Sequence, residues 1–258
     1  MTDQQFAIYP SLRGRTVFVT GGATGIGAAI VGHFCAQGAD TWFVDLNVEA
    51  GEALAASMME KGEGAAHFLA CDLRDIDGLR AAIGTAGDAP GGPVRVLVNN
   101  AASDDRHALE SVTPDYFDER VAVNIKHQLF AAQAVAPGMA AAGGGAVVNM
   151  GSVSYMLGQG GMPVYSLSKS AVWGLTRSLA RDLGPDNIRV NMVVPGWVMT
   201  ERQRTLWLTP EGDAQIMAGQ CLKQYLMPDD LARAVLFFAA DDSAMCTGQS
   251  YIVDGGWA

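Results

Sequence analysis

The chain has 258 residues, 49% of them apolar and 17% charged, which supports a sizeable core and excludes a disordered or disulfide-scaffold protein. Its 17 basic against 27 acidic side chains leave a net charge of -10, arguing against nucleic acid or an anionic membrane as partner, since both need clustered Lys and Arg. Glycine is the odd number, 31 residues or about 12% against a usual value of about 7%, and implies a fold that needs tight backbone turns.

The segment 1–15 has no apolar signal core and no cleavage site, so the expected location is the cytoplasm. A buried strand is predicted over 16–20 from its β-branched run, followed by the turn Thr20-Gly21-Gly22-Ala23-Thr24-Gly25-Ile26-Gly27 opening into a helix over 25–37. Glycines at this spacing let the backbone turn sharply and approach a pyrophosphate, while the helix N-terminus offers free N–H groups to the anion. A second strand over 41–46 contains Asp45, close to the roughly 20-residue spacing at which an acid accepts hydrogen bonds from an adenosine ribose. With no Lys or Arg between Arg15 and Lys61 to attract a 2′-phosphate, NAD is expected rather than NADP.

A helix over 48–61 leads to a strand at 67–71, after which Asp72 is placed either to bond an adenine amino group or to cap the helix over 75–86. The strand over 94–99 runs into Asn99, Asn100, Ala101 and Ala102, whose amides either pin neighbouring backbone, line a cleft or form an Asx turn. One long helix is predicted over 114–142, a strand over 146–150, and a helix over 164–183. On that last helix Tyr165 and Lys169 lie four apart on one face, so an ammonium near the phenol is expected to lower a pKa otherwise near 10, as a base for an alcohol requires. Ser152 follows the preceding strand and is placed to hold the substrate oxygen. Tyr155 has Gln159 four residues on and no such cation.

Strands over 188–194 and 250–253 and a helix over 228–240 complete an alternating pattern, so the predicted fold is α/β, a single-domain Rossmann-like doubly wound parallel sheet with helices on both faces, spanning 1–258. From His127 to Ser168 no Asp, Glu, Lys or Arg occurs, yet Gln133, Pro137, Asn149, Gln159 and the glycines interrupt every apolar run well short of the roughly 20 residues of a membrane span. The four cysteines, 35, 71, 221 and 246, are scattered and read as reduced, mostly buried thiols; with four isolated His, no metal site is expected.

Together these residues resemble the short-chain dehydrogenase/reductases across nearly the whole chain: the glycine motif at 20–27, Asp72, the Asn-Asn-Ala at 99–101, Asn124, the Ser152, Tyr165 and Lys169 set, and Pro195-Gly196 followed by Thr200. The resemblance implies that Tyr165 is the base, that Ser152 positions the reacting oxygen, and that Lys169 binds the nicotinamide ribose while lowering the tyrosine pKa. It also implies that Asn124 bends its helix and holds a relay water through its backbone, and that Gly21, Thr24, Gly25, Ile26, Gly27, Asp45, Asp72, Leu73, Asn100, Ala101, Pro195, Gly196, Val198 and Thr200 bind the cofactor. The family usually has Gly where this chain has Ala102, a methyl that should narrow the cleft. A homotetramer built partly on the helices bearing Asn124 and Tyr165 is implied as well.

The variable segments at 103–107, 134–139, 209–216 and 220–223 are similar to those of bacterial NAD-dependent aldose 1-dehydrogenases of the xylose type. That likeness implies oxidation of the C1 hydroxyl of an aldopyranose to an aldonolactone, with Asp104, Ser154, Gln159 and Gln203 meeting sugar hydroxyls and Trp197 as an apolar platform. Asp105, Arg106 and His107 are expected to form a solvated, self-paired loop, and 200–227 to be either a lid over the sugar or a packed helical insertion. Other substrates open to the same set are a polyol, a deoxy sugar acid or a hydroxysteroid; the complete Ser, Tyr, Lys and Asn set speaks against a non-catalytic NAD-sensing protein.

Overall fold

A computed structural model of the chain describes residues 6–62 and 64–258. Seven parallel strands form one sheet in the order β3-β2-β1-β4-β5-β6-β7, with β1 Thr16–Thr20, β2 Asp40–Asp45, β3 Ala65–Ala70, β4 Val96–Asn99, β5 Gly145–Met150, β6 Ile188–Pro195 and β7 Ser250–Val253. The helices are α1 Gly25–Ala36, α2 Val48–Lys61, α3 Ile76–Gly87, α4 Pro114–Val121, α5 His127–Ala141, α6 Pro163–Leu183, α7 Glu201–Leu206, α8 Pro210–Gly219 and α9 Pro228–Ala239.

The period of two along each strand divides the core. Val17 and Val19 of β1 face one side with Ile30, Val31 and Phe34 of α1 and Leu231 and Val235 of α9, while Phe18 faces the other with Leu79 and Ile83 of α3 and Val135 and Met139 of α5. Both faces are therefore covered, which is why the strands read as continuous apolar runs rather than alternating ones. Local chemistry fixes the helix starts: the Asn47 side chain accepts from Ala50 N at 3.1 Å, and Asp75, not Asp72, caps α3 by accepting from Asp77 N and Gly78 N.

Two predicted segments differ. The helix expected over 114–142 is interrupted by a π-helical stretch, Ala122–Lys126, with Asn124 at its centre. The 200–227 segment, which has no strand, carries two short helices, α7 and α8, started by Thr200 accepting from Gln203 N and Thr209 accepting from Gly212 N. Of the cysteines, Cys35 and Cys71 are buried, Cys246 is half-buried and Cys221 is exposed, fewer buried than expected. No helix among the described residues is long and apolar enough to cross a membrane.

Candidate active site

The chain passes from one half of the sheet to the other between β1 and β4, and an open α/β sheet forms its ligand crevice outside the carboxyl ends of the strands at such a reversal. A cleft of about 1180 Å³ lies there, lined by residues that follow β1, β2, β3, β4, β5 and β6. Of the site residues expected from sequence, all but Asn124 line it.

At one end the glycine turn is built for close approach. A Cβ on Gly27 would sit 1.9 Å from the Gly21 carbonyl oxygen, and one on Gly21, whose φ is +65°, would sit 2.7 Å from the Ala101 Cα. Thr24 begins α1 without a side-chain hydrogen bond across the N-terminus, so the first N–H groups of α1 face no protein cap. Asn100 donates through Nδ2 to the Thr20 and Gly21 carbonyls at 3.2 and 2.8 Å, so of its predicted roles it pins backbone, holding the turn against β4. Asp45 accepts from Ala23 N and Asn47 N, both at 3.0 Å, one on each oxygen, leaving acceptor capacity on both. Asp72 is engaged by Arg74, which holds its carboxyl below the usual range through their hydrogen bonds, so an adenine contact there would share that carboxylate. The crevice, the glycine cradle and the uncapped helix start fit a dinucleotide; Leu73, Ile26, Gly25, Ala101, Pro195, Gly196, Val198 and Thr200 complete its wall.

At the other end Ser152 follows β5, its Oγ accepting from Ser154 N at 3.1 Å. Lys169 is buried, donates from Nζ to the Met150 carbonyl at 2.8 Å, and lies 5.7 Å from the centre of the Tyr165 ring. The expected lowering of the Tyr165 pKa is not what this geometry produces. Burial pushes the phenol up to about 12 against smaller opposing effects of Ser152 and Arg106, and Lys169 is not among the groups that lower it. Burial pushes the Lys169 ammonium down to about 8. The physical reason is that a side chain taken out of water loses its charged form first, and Lys169 points its ammonium at a carbonyl rather than at the phenol oxygen.

Asn124 stands behind the wall. Its Oδ1 accepts from Ser103 N at 2.7 Å and its Nδ2 donates to the Ser103 carbonyl at 3.1 Å, anchoring the loop after β4, while its own carbonyl accepts Gln128 Nε2 at 3.1 Å. Asp105, Arg106 and His107, expected as a solvated, self-paired loop, are half-buried and pair both within the loop, where Asp105 accepts from Ser103 Oγ at 2.9 Å and His107 Nδ1 lies 2.9 Å from the Asp105 carbonyl, and outside it. Asp104 accepts from Arg202 Nε at 3.1 Å and from Gln203 Nε2; Asp105 pairs with Arg120 and Arg202; Arg106 stacks on Trp197 and Trp207. His107 Nε2 accepts from Val164 N at 3.2 Å, capping the first turn of α6 one residue before Tyr165. One face of Trp197 is thus covered by Arg106 and not available as a bare platform. Arg106 and His107 are the functional candidates the sequence reading missed, since their partners lie far along the chain.

A parallel doubly wound sheet, a glycine turn at its reversal and a Ser, Tyr and Lys set at the opposite end of one cleft define a nucleotide-dependent oxidoreductase. The family model described as enoyl-(acyl carrier protein) reductase matches residues 21–258. The chain is 49% identical over 251 residues to D-xylose 1-dehydrogenase of Caulobacter vibrioides, covering 97% of this chain and 98% of that one. It is 50% identical over 248 residues to a probable galactose dehydrogenase of Rhizobium meliloti, covering 96% of each. Among solved structures it is similar to a 3-oxoacyl-[acyl-carrier protein] reductase from Brucella melitensis with bound NAD, with a TM-score of 0.87 at 30% identity over 99% of this chain and 97% of that one. A blue fluorescent protein from a metagenomic library in complex with NADPH gives the same TM-score at 35% identity, over 96% and 99% of the two chains. The chain belongs to the short-chain dehydrogenase/reductase family and is an oxidoreductase acting on CH–OH donors.

Proposed function

We propose that this enzyme oxidises the C1 hydroxyl of an aldopyranose, of the D-xylose, L-arabinose, D-galactose or L-fucose class, to the aldonolactone with NAD. The observation that carries the reading is the polar wall beside Tyr165, formed by Asp104, Ser154, Gln159 and Gln203, in a chain about half identical to xylose and galactose dehydrogenases. A site that hydrogen-bonds hydroxyls discriminates strongly against ligands lacking them. Preference for NAD rests on Asp45, whose charge repels a 2′-phosphate, and on the absence of a Lys or Arg between Arg15 and Lys61.

Ser152 donates to the C1 oxygen and fixes it toward Tyr165, which removes its proton. Lys169 would hold the ribose of a nicotinamide cofactor and the Gly21 to Gly27 turn its pyrophosphate; such a cofactor would supply the hydride acceptor for C1. Asn124 keeps Ser103 and the loop after β4 in register, and α7 and α8 cover the sugar and exclude water. The enzyme works in the cytoplasm as a homotetramer, and the 200–227 segment opens for exchange of sugar.

The test is NADH and NADPH formation from D-xylose, L-arabinose, D-galactose, L-fucose and galactitol in parallel. Turnover of at least one aldose with NAD is expected; activity with galactitol alone would overturn the reading. Tyr165→Phe is expected to lose at least about a hundredfold in kcat while still binding NADH, and wild-type turnover in that variant would remove Tyr165 as base.

A further inference from the structure

The four arginines lining the cleft are not alike. Arg74 pairs with Asp72 and Glu119, Arg120 with Asp105 and Glu119, and Arg202 with Asp104 and Asp105. Arg106 has no carboxylate in ion-pair reach among the described residues. It donates from Nη1 to the Met162 thioether at 3.1 Å, a weak acceptor, and its guanidinium lies over both the Trp197 and the Trp207 indoles, 5.6 and 5.4 Å from their centres. Burial holds its pKa below the ordinary arginine value, with Asp104 and Tyr165 acting the other way.

Arg106 is half-buried, and a cation partly withdrawn from water without a counter-charge gains from an acceptor that arrives to pair with it. Two buried groups on the same wall have no hydrogen-bond partner, the Trp197 indole N–H and the Ser154 hydroxyl. Arg106 follows β4, Ser154 follows β5 and Trp197 follows β6, so three adjacent strand ends bring polar groups with a weak protein acceptor or none to the end of the cleft that holds Tyr165. A guanidinium carries five N–H donors in a rigid fork and no acceptor, a shape that spans two oxygens on neighbouring carbons.

We propose that Arg106 is a specificity-determining residue, stacked on Trp197 and Trp207, whose fork binds adjacent hydroxyl oxygens of the substrate away from the reacting carbon. The proposal rests on a polyhydroxylated substrate and not on C1 as the position oxidised. Arg106 thereby reads the pattern of ring hydroxyls, and Ser154 and the Trp197 N–H add single contacts to the same face.

The experiment compares wild type, Arg106→Met, Arg106→Lys and Trp207→Leu on the best sugar and its 2-, 3- and 4-deoxy analogues, with NADH affinity measured beside. Arg106→Met is expected to raise KM for the parent sugar at least about tenfold, to leave kcat within about threefold and to leave NADH affinity unchanged. Its loss should shrink for the deoxy analogue that lacks the contacted hydroxyl. Arg106→Lys should recover little, since a point charge cannot replace the fork. Trp207→Leu, which keeps the arginine and removes one of the indoles it lies over, should show a weaker form of the same deoxy pattern.

Equal losses on the parent and every deoxy analogue, or no loss, overturn the proposal. So does a fall in kcat with the midpoint of its pH profile moved upward, which would mark a field effect on Tyr165. If the wild type oxidises galactitol and no aldose, the C1 reading falls and the Arg106 comparison is run on galactitol and its deoxy analogues. Oxidation only of a substrate without neighbouring hydroxyls overturns both.

Discussion

His127 is fully buried one helical turn from the site, with Nε2 3.2 Å from the Ala101 carbonyl, and burial with the nearby Lys169 charge pushes its pKa down to about 4 from 6.5. Below pH 6.5 the unfolded chain takes up a proton that the folded chain excludes, so unfolding becomes easier as pH falls. The contribution is complete above pH 6.5 and is lost on the way down to about pH 4. A gap of this size corresponds to about 3 kcal/mol at full development. Urea unfolding at pH 7 and pH 4.5 should show that loss in the wild type and a shallower one in His127→Gln, which keeps a donor for Ala101. Parallel losses in both would remove His127 as the cause. Asp45 makes a separate residue-scale prediction. Asp45→Ser removes the charge that repels a 2′-phosphate while leaving a small polar side chain near Ala23 and Asn47, so the ratio of kcat/KM with NADP to that with NAD should rise at least about tenfold, read from parallel kinetics.

At the scale of elements, glycine content has two separate meanings. Gly27 of α1 faces the Gly21 carbonyl with no room for a methyl, whereas a Cβ on Gly84 of α3 meets nothing within 4 Å. Gly84→Ala should therefore raise stability by about 0.5–1 kcal/mol through helix propensity and a less free unfolded chain. Gly27→Ala should lower stability and weaken NADH binding together. Thermal and fluorescence titrations of the two variants separate these effects, and equal behaviour would sink the argument. The glycine motif was legible because close backbone approach leaves a composition trace. The π-helical stretch at Ala122–Lys126 was not, since one widened turn barely changes the apolar period around it. The start of α8 does carry a signal in the sequence: Thr209 followed by Pro210 has the same N-cap and N1 pattern as Thr113 and Pro114 at the start of α4.

Across the whole molecule, parallel strands explain why residues named from a linear sequence, nearly all of the expected site set, meet along one cleft. Successive strand ends point the same way, so residues just after each strand meet in one place whatever their separation in sequence. What could not be read is which side chains pair across that place. Asp104 and Arg202 are far apart in sequence yet pair at 3.1 Å, and the arginine without a carboxylate partner is visible only once its neighbours' partners are known. Burial was also beyond the sequence, and it reverses the sign expected for Tyr165.

The charge-free run from His127 to Ser168 makes its last claim at this scale. It contains α5, β5 and the start of α6, and its inner side chains are explained by the core and the cleft. Its outer ones are not: Leu129 on α5 and Leu167 on α6 remain 42% and 49% exposed, with Phe117 of α4 at 37%. Exposed apolar side chains such as these are what a subunit contact would cover. For the proposed homotetramer, light scattering should return about four times the chain mass of 27.1 kDa. Leu129→Glu together with Leu167→Glu would place charges where that contact excludes water, and a desolvated, unpaired carboxylate is costly. The double variant should therefore scatter as a smaller species while its isolated chain keeps the wild-type circular dichroism. A wild type that scatters as a single chain would leave these apolar faces to some other role, and an unchanged mass in the double variant would move the contact to another surface.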